Sequence, residues 1–339
     1  MCAKPVDILA VGNAIVDVFT QCDDAFLHAN GIEKGGMILL DAAKAGSLYA
    51  AVAKMAPPQL ISGGSAANTA VGVAAFGGVA NFVGRVFDDD LGRAFKTDII
   101  AAGVGFDQPP ATNGSPTASS IILVTPDAAR SMNTFLGASI EFEARDLAAA
   151  DAANAKVIYL EGYLFDAPNG PAIFAESARL ARQHGSKIAL SLSDAWCVER
   201  HQAALSKFIT DHVALLLGNE DEIITLAKSA SENLDFDQSI DHLRGGVDEL
   251  IVTRGAAGAV VCAGDDRVEV AAMPQGPVID TTGAGDLFAA GYIFGRTSGQ
   301  DIKNSASLAS LAASEVITHI GARPQTDLTA LADRCLKLA

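Results

Sequence analysis

Short apolar runs recur along the chain, and most are apolar on consecutive residues instead of alternating. They are VDILAV (6–11), VANFV (79–83), SIILVT (120–125), VIYL (157–160), IALSL (188–192), VALLL (213–217), ELIVT (249–253) and GAVVC (258–262). Runs of this kind predict strands covered on both faces. Ala-rich amphipathic stretches of helical length lie between many of them, over 65–77, 91–102, 171–184, 199–209 and 219–229, and 285–298 and 301–319 follow near the end. Strand alternating with helix predicts right-handed crossovers and an α/β fold, a mostly parallel sheet with helices on both faces.

Two regions interrupt that rhythm. Residues 14–40 hold VDVFT and MILL around an acidic, Gly-rich break with little helical period. Residues 107–137 run DQPPATNGSPT, then a strand, then TPDAARSMNTFL. Turn residues flanking short strands predict hairpins outside the main sheet. The economical organisation is one α/β domain over 1–339, with a small β-sheet lid built from about 14–40 and 107–137. No internal repeat, low-complexity tract or interdomain linker stands out. In open parallel sheets ligands bind beyond the carboxyl ends of the strands, so motifs placed just after strands carry the functional weight.

Composition narrows the classes. Half of the 339 residues are hydrophobic, enough for a large core, and 24 basic against 40 acidic residues leave a net charge of −16. Such a surface repels nucleic acid and anionic membrane, so neither is an expected partner, and an anionic substrate would need a local positive device. The five cysteines (Cys2, Cys22, Cys197, Cys262, Cys335) form no C-x-x-C pair and fit neither a disulfide framework nor a zinc site, which suits a reducing cytosol. The N-terminal stretch is broken by Asp7, Asn13 and Asp17, a poor signal peptide, and no apolar run approaches the ~20 residues of a membrane span. The expectation is a soluble, cytoplasmic protein.

The candidate chemistry gathers after the strands. In VIDTTGAGDLFAAGYIFG (278–295), an apolar approach meets Asp280, Thr281 and Thr282, then Gly283, Ala284 and Gly285, and a helix opens near Asp286. Glycines let successive N–H groups point outward, and the helix terminus adds partial positive charge, together an anion hole suited to a γ-phosphate. Asp286 beside it is placed to accept a proton from an attacking hydroxyl. A helix N-terminus favours the ionised carboxylate, so Asp286 is expected to be no stronger a base than a model Asp at about 3.9. A Thr/Asp N-cap with turn glycines explains the same residues.

In SGGSAANTAVGVAAFGG (62–78), Gly63 and Gly64 permit close backbone approach, while Ser65 and Asn68 are polar on a small, apolar helix. Asn68 can meet a hydroxyl-rich ligand; a Gly-capped packing helix is the alternative. Asp17, in VGNAIVD (11–17), is placed to accept two vicinal hydroxyls, or is a solvated turn acid. Asn219 and Glu222 in LLLGNEDE (215–222) are spaced to bracket a hydrated Mg²⁺ carried by ATP, or to cap and begin a helix. Thr253 and Gly255 in VTRGAAG (252–258) can face a nucleotide's phosphates or ribose. Arg130, in the lid, can swing over a transferring phosphoryl group or sit on the surface. There is no Gly-Lys dipeptide and so no P-loop, no H-R-D with D-F-G, and no metal-spaced histidine cluster.

Taken together, Gly63, Gly64 and Asn68 (G-G-x-x-x-N), Asn219 and Glu222 (N-x-x-E), Thr253 and Gly255 (T-x-G), and Asp280 through Asp286 (D-T-x-G-A-G-D) resemble the ribokinase-like, pfkB-type carbohydrate kinases over essentially the whole chain. The resemblance implies a doubly wound α/β domain with a β-sheet lid, and ATP- and Mg²⁺-dependent phosphorylation of a sugar hydroxyl. It implies Asp286 as base with the amides of 283–286 as anion hole, and Thr282 with Asn219, Thr253 and Gly255 on the ATP side. Asp17, Gly64 and Asn68 would hold the sugar, with Asn13, Gly63 and Ser65 beside them. The G-N-x-x-x-D of 12–17, GGSAAN, and RSMNTFLGA at 130–138 look most like the adenosine kinase branch, and more like its bacterial members than the animal enzymes. That branch implies an apolar lid face for a purine, with Phe135, Leu136, Leu40 and Tyr163 as candidates. The acceptor is then a ribonucleoside, with adenosine first; a free sugar such as ribose or fructose is the alternative, and a non-catalytic nucleoside-binding protein is a further one. Parts of the family hold a monovalent cation such as K⁺ near the residues matched by Asp280 and Thr282. Both monomers and homodimers paired through lid edges occur.

Overall fold

The computed structural model describes residues 5–55, 57–127, 129–147, 152–231 and 233–338, so Cys2 lies outside the described residues. Within them the strands are β1 (Val6–Val11), β2 (Ile15–Gln21), β3 (Met37–Leu39), β4 (Gln59–Gly63), β5 (Ala80–Val83), β6 (Ala118–Val124), β7 (Arg130–Phe135), β8 (Ala155–Glu161), β9 (Lys187–Ser191), β10 (Val213–Asn219), β11 (Glu249–Thr253), β12 (Ala259–Ala263) and β13 (Asp266–Val270). They form a main sheet of order β13-β12-β11-β10-β9-β8-β1-β5 and a second, five-stranded sheet of order β3-β7-β6-β2-β4. The main sheet is parallel from β5 to β11. β12 and β13 add an antiparallel edge.

The consecutive apolar runs have a simple cause. Ile8, Ala10, Tyr159, Ala189, Leu215, Leu217 and Ile251 point into one core with the helices Ser65–Ala75, Ala284–Thr297 and Ile302–Val316. Leu9, Val11, Ile158, Leu160, Ile188, Leu190, Leu216, Leu250 and Val252 point into another with Gly170–His184, Ala195–His212, Glu220–Ala227 and Phe236–Arg244. Each strand thus buries both of its faces, as its sequence predicts.

The small sheet draws on both expected segments, through β2, β3, β6 and β7, but also on β4, which the sequence reading left out. Residues 14–40 also contain a helix, Asp24–Ala29, started by Asp23, whose side chain accepts from the Phe26 N–H. Six residues are too few to display a helical period, so a cap and not a pattern marks it. Ala42–Ala53 follows as a further helix. Connectivity places the chemistry: β1 of the main sheet runs through Gly12–Ala14 straight into β2 of the small one, and β4 returns through Gly64 into the helix Ser65–Ala75. The Asn13–Asp17 and Gly63–Asn68 motifs therefore meet where the two sheets join.

Candidate active site

Gly283 has φ 78° and caps the helix Ala284–Thr297 without any side-chain cap bond. A Cβ at this position would be 2.5 Å from the Cβ of Ala322, so only glycine suits both the left-handed backbone and the close approach. The preceding turn is pinned by Asp280, which accepts from the Thr282 N–H (3.0 Å) and the Gly321 N–H (2.8 Å), and the Ala284 N–H donates to Thr281 O at 3.2 Å. With no side chain capping it, the first turn presents its amides and dipole to an incoming anion.

Asp286, half-buried in that first turn, is gripped by the other glycine helix. Ser65 Oγ donates to its Oδ1 at 2.6 Å and Asn68 Nδ2 to its Oδ2 at 3.0 Å, while Thr69 Oγ1 donates to its carbonyl at 3.3 Å. Burial raises the Asp286 carboxyl above its ordinary value, and the two hydrogen bonds and the charge of Arg323 only partly oppose this. Removal from water thus works against the ionised form that a helix N-terminus favours. Ser65 and Asn68, expected on the substrate, hydrogen-bond the carboxylate of Asp286, and Asn68 also lines the cavity beside Asp17.

That cavity, of about 1260 Å³, is bounded by β2, β4, the helix Ser65–Ala75 and the loop 319–325, and Asp17, Asn68 and Arg323 face it. The missing side chain at Gly63 makes room for Asp17, since a Cβ there would lie 2.6 Å from its Oδ2. Burial pushes the Asp17 carboxyl up to about 7 against the charges of Arg323 and Arg130. Asn13 does not present its amide to the cavity: its N–H and Nδ2 donate to Glu161 Oε1 at 2.8 and 2.7 Å. Glu161, 1% exposed, also accepts from the Ala66 N–H at 2.8 Å and is pushed up to about 7 by burial, against the amides of Asn13 and Ala66.

Arg130 begins β7 and reaches across to the anion turn, donating to Thr282 Oγ1 at 2.8 Å and pairing with Asp280 Oδ1; its Nε and Nη2 are buried without a partner among the described residues. Burial acts to raise Asp280, but the amides of Gly321 and Thr282, the Thr282 hydroxyl and Arg130 outweigh it, and the carboxyl sits below its ordinary value. At Asp280 and Thr282, where a monovalent cation is expected from the resemblance, the Arg130 guanidinium balances the charge of the carboxylate here, and both of its oxygens are engaged. Phe135, Leu136, Leu40 and Tyr163 do not line the cavity. Phe135 is half-buried at the end of β7. Tyr163 is 36% exposed, its hydroxyl donating to the carbonyl of Ser193 (3.3 Å), a residue held at φ 72°. Burial and then the charges of Asp194, Asp286, Glu161 and Glu222 raise that hydroxyl above its ordinary value.

Asn219 and Thr253 are partners at the carboxyl ends of β10 and β11. Asn219 caps the helix Glu220–Ala227 in a reciprocal box: its Oδ1 accepts from the Glu222 N–H (2.9 Å), and Glu222 accepts from the Asn219 N–H (3.0 Å) and Nδ2 (2.7 Å). The helix-cap alternative is thus what these two residues build. Burial pushes Glu222 up to about 7. Each of its oxygens retains a lone pair, which fits accepting from a water of a Mg²⁺ ion. Gly255 has φ 55° and is exposed beside Thr253, whereas Arg254 turns away to Glu220 (3.1 Å) and the ring of Phe236.

Motif reasoning missed Glu161 and Arg323, which are solitary in sequence and gain meaning only from distant partners. The anion-hole turn, the acid beside it and the paired strand ends define a phosphotransferase with an alcohol acceptor. The pfkB family carbohydrate kinase model matches residues 37–328, and the chain belongs to that family. The adenosine kinase from Sinorhizobium meliloti is 43% identical, with a TM-score of 0.85 over 98% of this chain and 99% of that one. A probable sugar kinase from Rhizobium etli CFN 42 is 41% identical, with a TM-score of 0.86 over the same shares. The 5-dehydro-2-deoxygluconokinase of Bacillus subtilis (strain 168) is 26% identical over 274 residues, 76% of this chain and 80% of its own length.

Proposed function

We propose that the protein phosphorylates the 5′-hydroxyl of a ribonucleoside, adenosine foremost, with ATP as donor. The observation that carries the reading is Asp286, half-buried and held by Ser65 and Asn68 at the mouth of an uncapped, glycine-opened helix. Asp17, half-buried on the cavity wall, is suited to accept the two ribose hydroxyls. The 5′-oxygen attacks the γ-phosphorus, the bond to the β,γ-bridging oxygen breaks with its electron pair leaving on ADP, and the hydroxyl proton passes to Asp286. The amides of 283–286 receive the negative charge of the transferring group. Arg130, resting on Thr282, is within reach of the same group. Mg²⁺, when bound through water near Glu222, supplies charge neutralisation on the phosphates. The four described cysteines are all free and buried, which supports a reducing, cytoplasmic setting.

The likeness to the Sinorhizobium meliloti enzyme supports the nucleoside. A free-sugar acceptor is the second reading. It is favoured by the absence of Phe135, Leu40 and Tyr163 from the cavity wall and by the Rhizobium etli and Bacillus subtilis relatives. Steady-state assays with adenosine, guanosine, inosine, ribose and fructose separate the two. Adenosine is expected to give the highest kcat/KM; turnover of a free hexose with none of adenosine would reverse the choice.

A further inference from the structure

Arg323 projects from the loop 319–326, between the helices Ile302–Val316 and Leu328–Leu338. That loop is tied down on both sides of it. The Gly321 N–H donates to Asp280 at 2.8 Å, and the N–H groups of Gln325 and Thr326 donate to buried Glu315 at 2.9 and 3.0 Å. The loop that carries it is therefore fixed, at Gly321, to the same aspartate that shapes the anion turn. Its guanidinium crosses to the small sheet, where Nη2 donates to the carbonyl of Ser62 in β4 and to Ser62 Oγ at 2.7 Å. Ser62 in turn donates from N and Oγ to Asp98 at 2.8 and 2.6 Å. Nη1 is buried with no partner among the described residues.

The charge around it is one-sided. Asp286 is faced by Ser65 and Asn68 from the glycine helix, Tyr159 and Glu161 from β8, Tyr163 from the turn after β8, Asp17 from β2, and Arg323 from the C-terminal loop. Of these only Arg323 is positive. Three carboxylates share the space, and a phosphate donor must bring in more negative charge, so one cation placed among Asp17, Asp98 and Asp286 has a large lever.

We propose that Arg323 is a positioning residue for phosphoryl transfer. It locks the small sheet, through Ser62, to the loop that braces the anion turn, and it supplies positive charge to both Asp17 and Asp286, where Arg130 acts on Asp17 alone. The proposal rests on Asp286 being the base. Arg323 touches neither reacting atom; it acts through the two aspartates.

The test compares wild type with R323Q, which removes charge and fork, and R323K, which keeps the charge alone. Kinetics from pH 5 to 9 are expected to show the acid limb of kcat/KM moved upward by about one pH unit in R323Q, since losing the cation makes the carboxylates harder to ionise. The KM for the acceptor should rise about tenfold while that for ATP stays near wild type. R323K should restore the acid limb but not the acceptor KM. Amide hydrogen exchange gives a readout independent of turnover: R323Q should accelerate exchange in both Gln59–Gly63 and the 280–285 turn, and leave β12 and β13 unchanged. Wild-type pH profile and acceptor KM in R323Q, or unchanged exchange at β4 and the turn, would overturn the assignment. Should R323Q fail to fold, an acceptor KM in R323K equal to wild type does the same. If wild type phosphorylates no acceptor, the proposed function falls, and the exchange experiment still judges Arg323.

Discussion

Asp286 combines two opposed demands. Its burial favours the protonated acid, while Ser65, Asn68 and Arg323 favour the carboxylate that can take a proton. Replacement by Asn keeps size and polarity, and Asn68 can turn its amide to pair with the new side chain, so the fold and the acceptor site should survive. The expected outcome for D286N is a kcat lower by about 10³-fold, within the range for loss of a positioned base, with acceptor affinity near wild type by calorimetry. Unchanged kcat would remove Asp286 from the mechanism. The acid itself stood out in the sequence through the D-T-x-G-A-G-D pattern around it, since an acid at a helix start is by itself as well explained by capping. The partners of Ser65, Asn68 and Asn13 were illegible for a common reason: helical and turn spacing shows which way a side chain points, but not what comes to meet it. Ser65 and Asn68 meet a residue more than two hundred positions later, and Asn13 meets Glu161 across 148. Arg323 lies 261 positions from Ser62, and no local pattern could have marked it.

The strands of the main sheet could be read in advance because both faces are buried, which writes itself as unbroken apolar sequence. β4 (QLISG) and β13 (DRVEV) escaped because each is an edge strand, mixed in polarity and short. The helices Ala42–Ala53, Phe236–Arg244 and Leu328–Leu338 sit outside the strand–helix alternation that organised the reading. The glycine turn before Ala284–Thr297 was legible as a turn, but its geometry yields a sharper prediction. G283A must adopt φ 78° with a side chain and push its Cβ against Ala322. Backbone strain of this type costs about 1–3 kcal/mol, and relieving it would tilt the helix start that forms the anion hole. G283A is expected to melt several degrees lower and to raise the KM for ATP about tenfold or more, while acceptor binding is retained. A variant with wild-type ATP kinetics would show that the donor's phosphates do not use this turn.

Across the whole molecule, an excess of acid is managed unevenly. The chain carries 40 acidic residues and a net charge of −16, yet Asp17, Glu161 and Glu222 are enclosed near the junction of the two sheets or at the strand ends beside it, each with its carboxyl pushed up to about 7 by burial. Their unfolded values lie near 4, so the native state binds protons more tightly than the unfolded chain does. A raised carboxyl contributes stability that is complete below its unfolded value and is lost as pH climbs through the folded one. Between about pH 4 and 7 these three groups therefore make the free protein less stable with rising pH, opposite to the usual effect of salt-bridged carboxylates, whose loss occurs at lower pH. Calorimetric melting without ligands is expected to give a higher Tm at pH 5 than at pH 8. Glu161 isolates the cause, because it is 1% exposed and accepts three hydrogen bonds, from Asn13 N, Asn13 Nδ2 and Ala66 N. E161Q keeps an oxygen for Asn13 but turns an N–H₂ toward the Ala66 N–H, so it should melt lower at pH 5. It no longer titrates, however, and its Tm should fall less between pH 5 and 8 than that of wild type. A wild-type Tm that rises over this interval, or an E161Q slope equal to wild type, would mean that the enclosed carboxyl at the sheet junction stays ionised throughout.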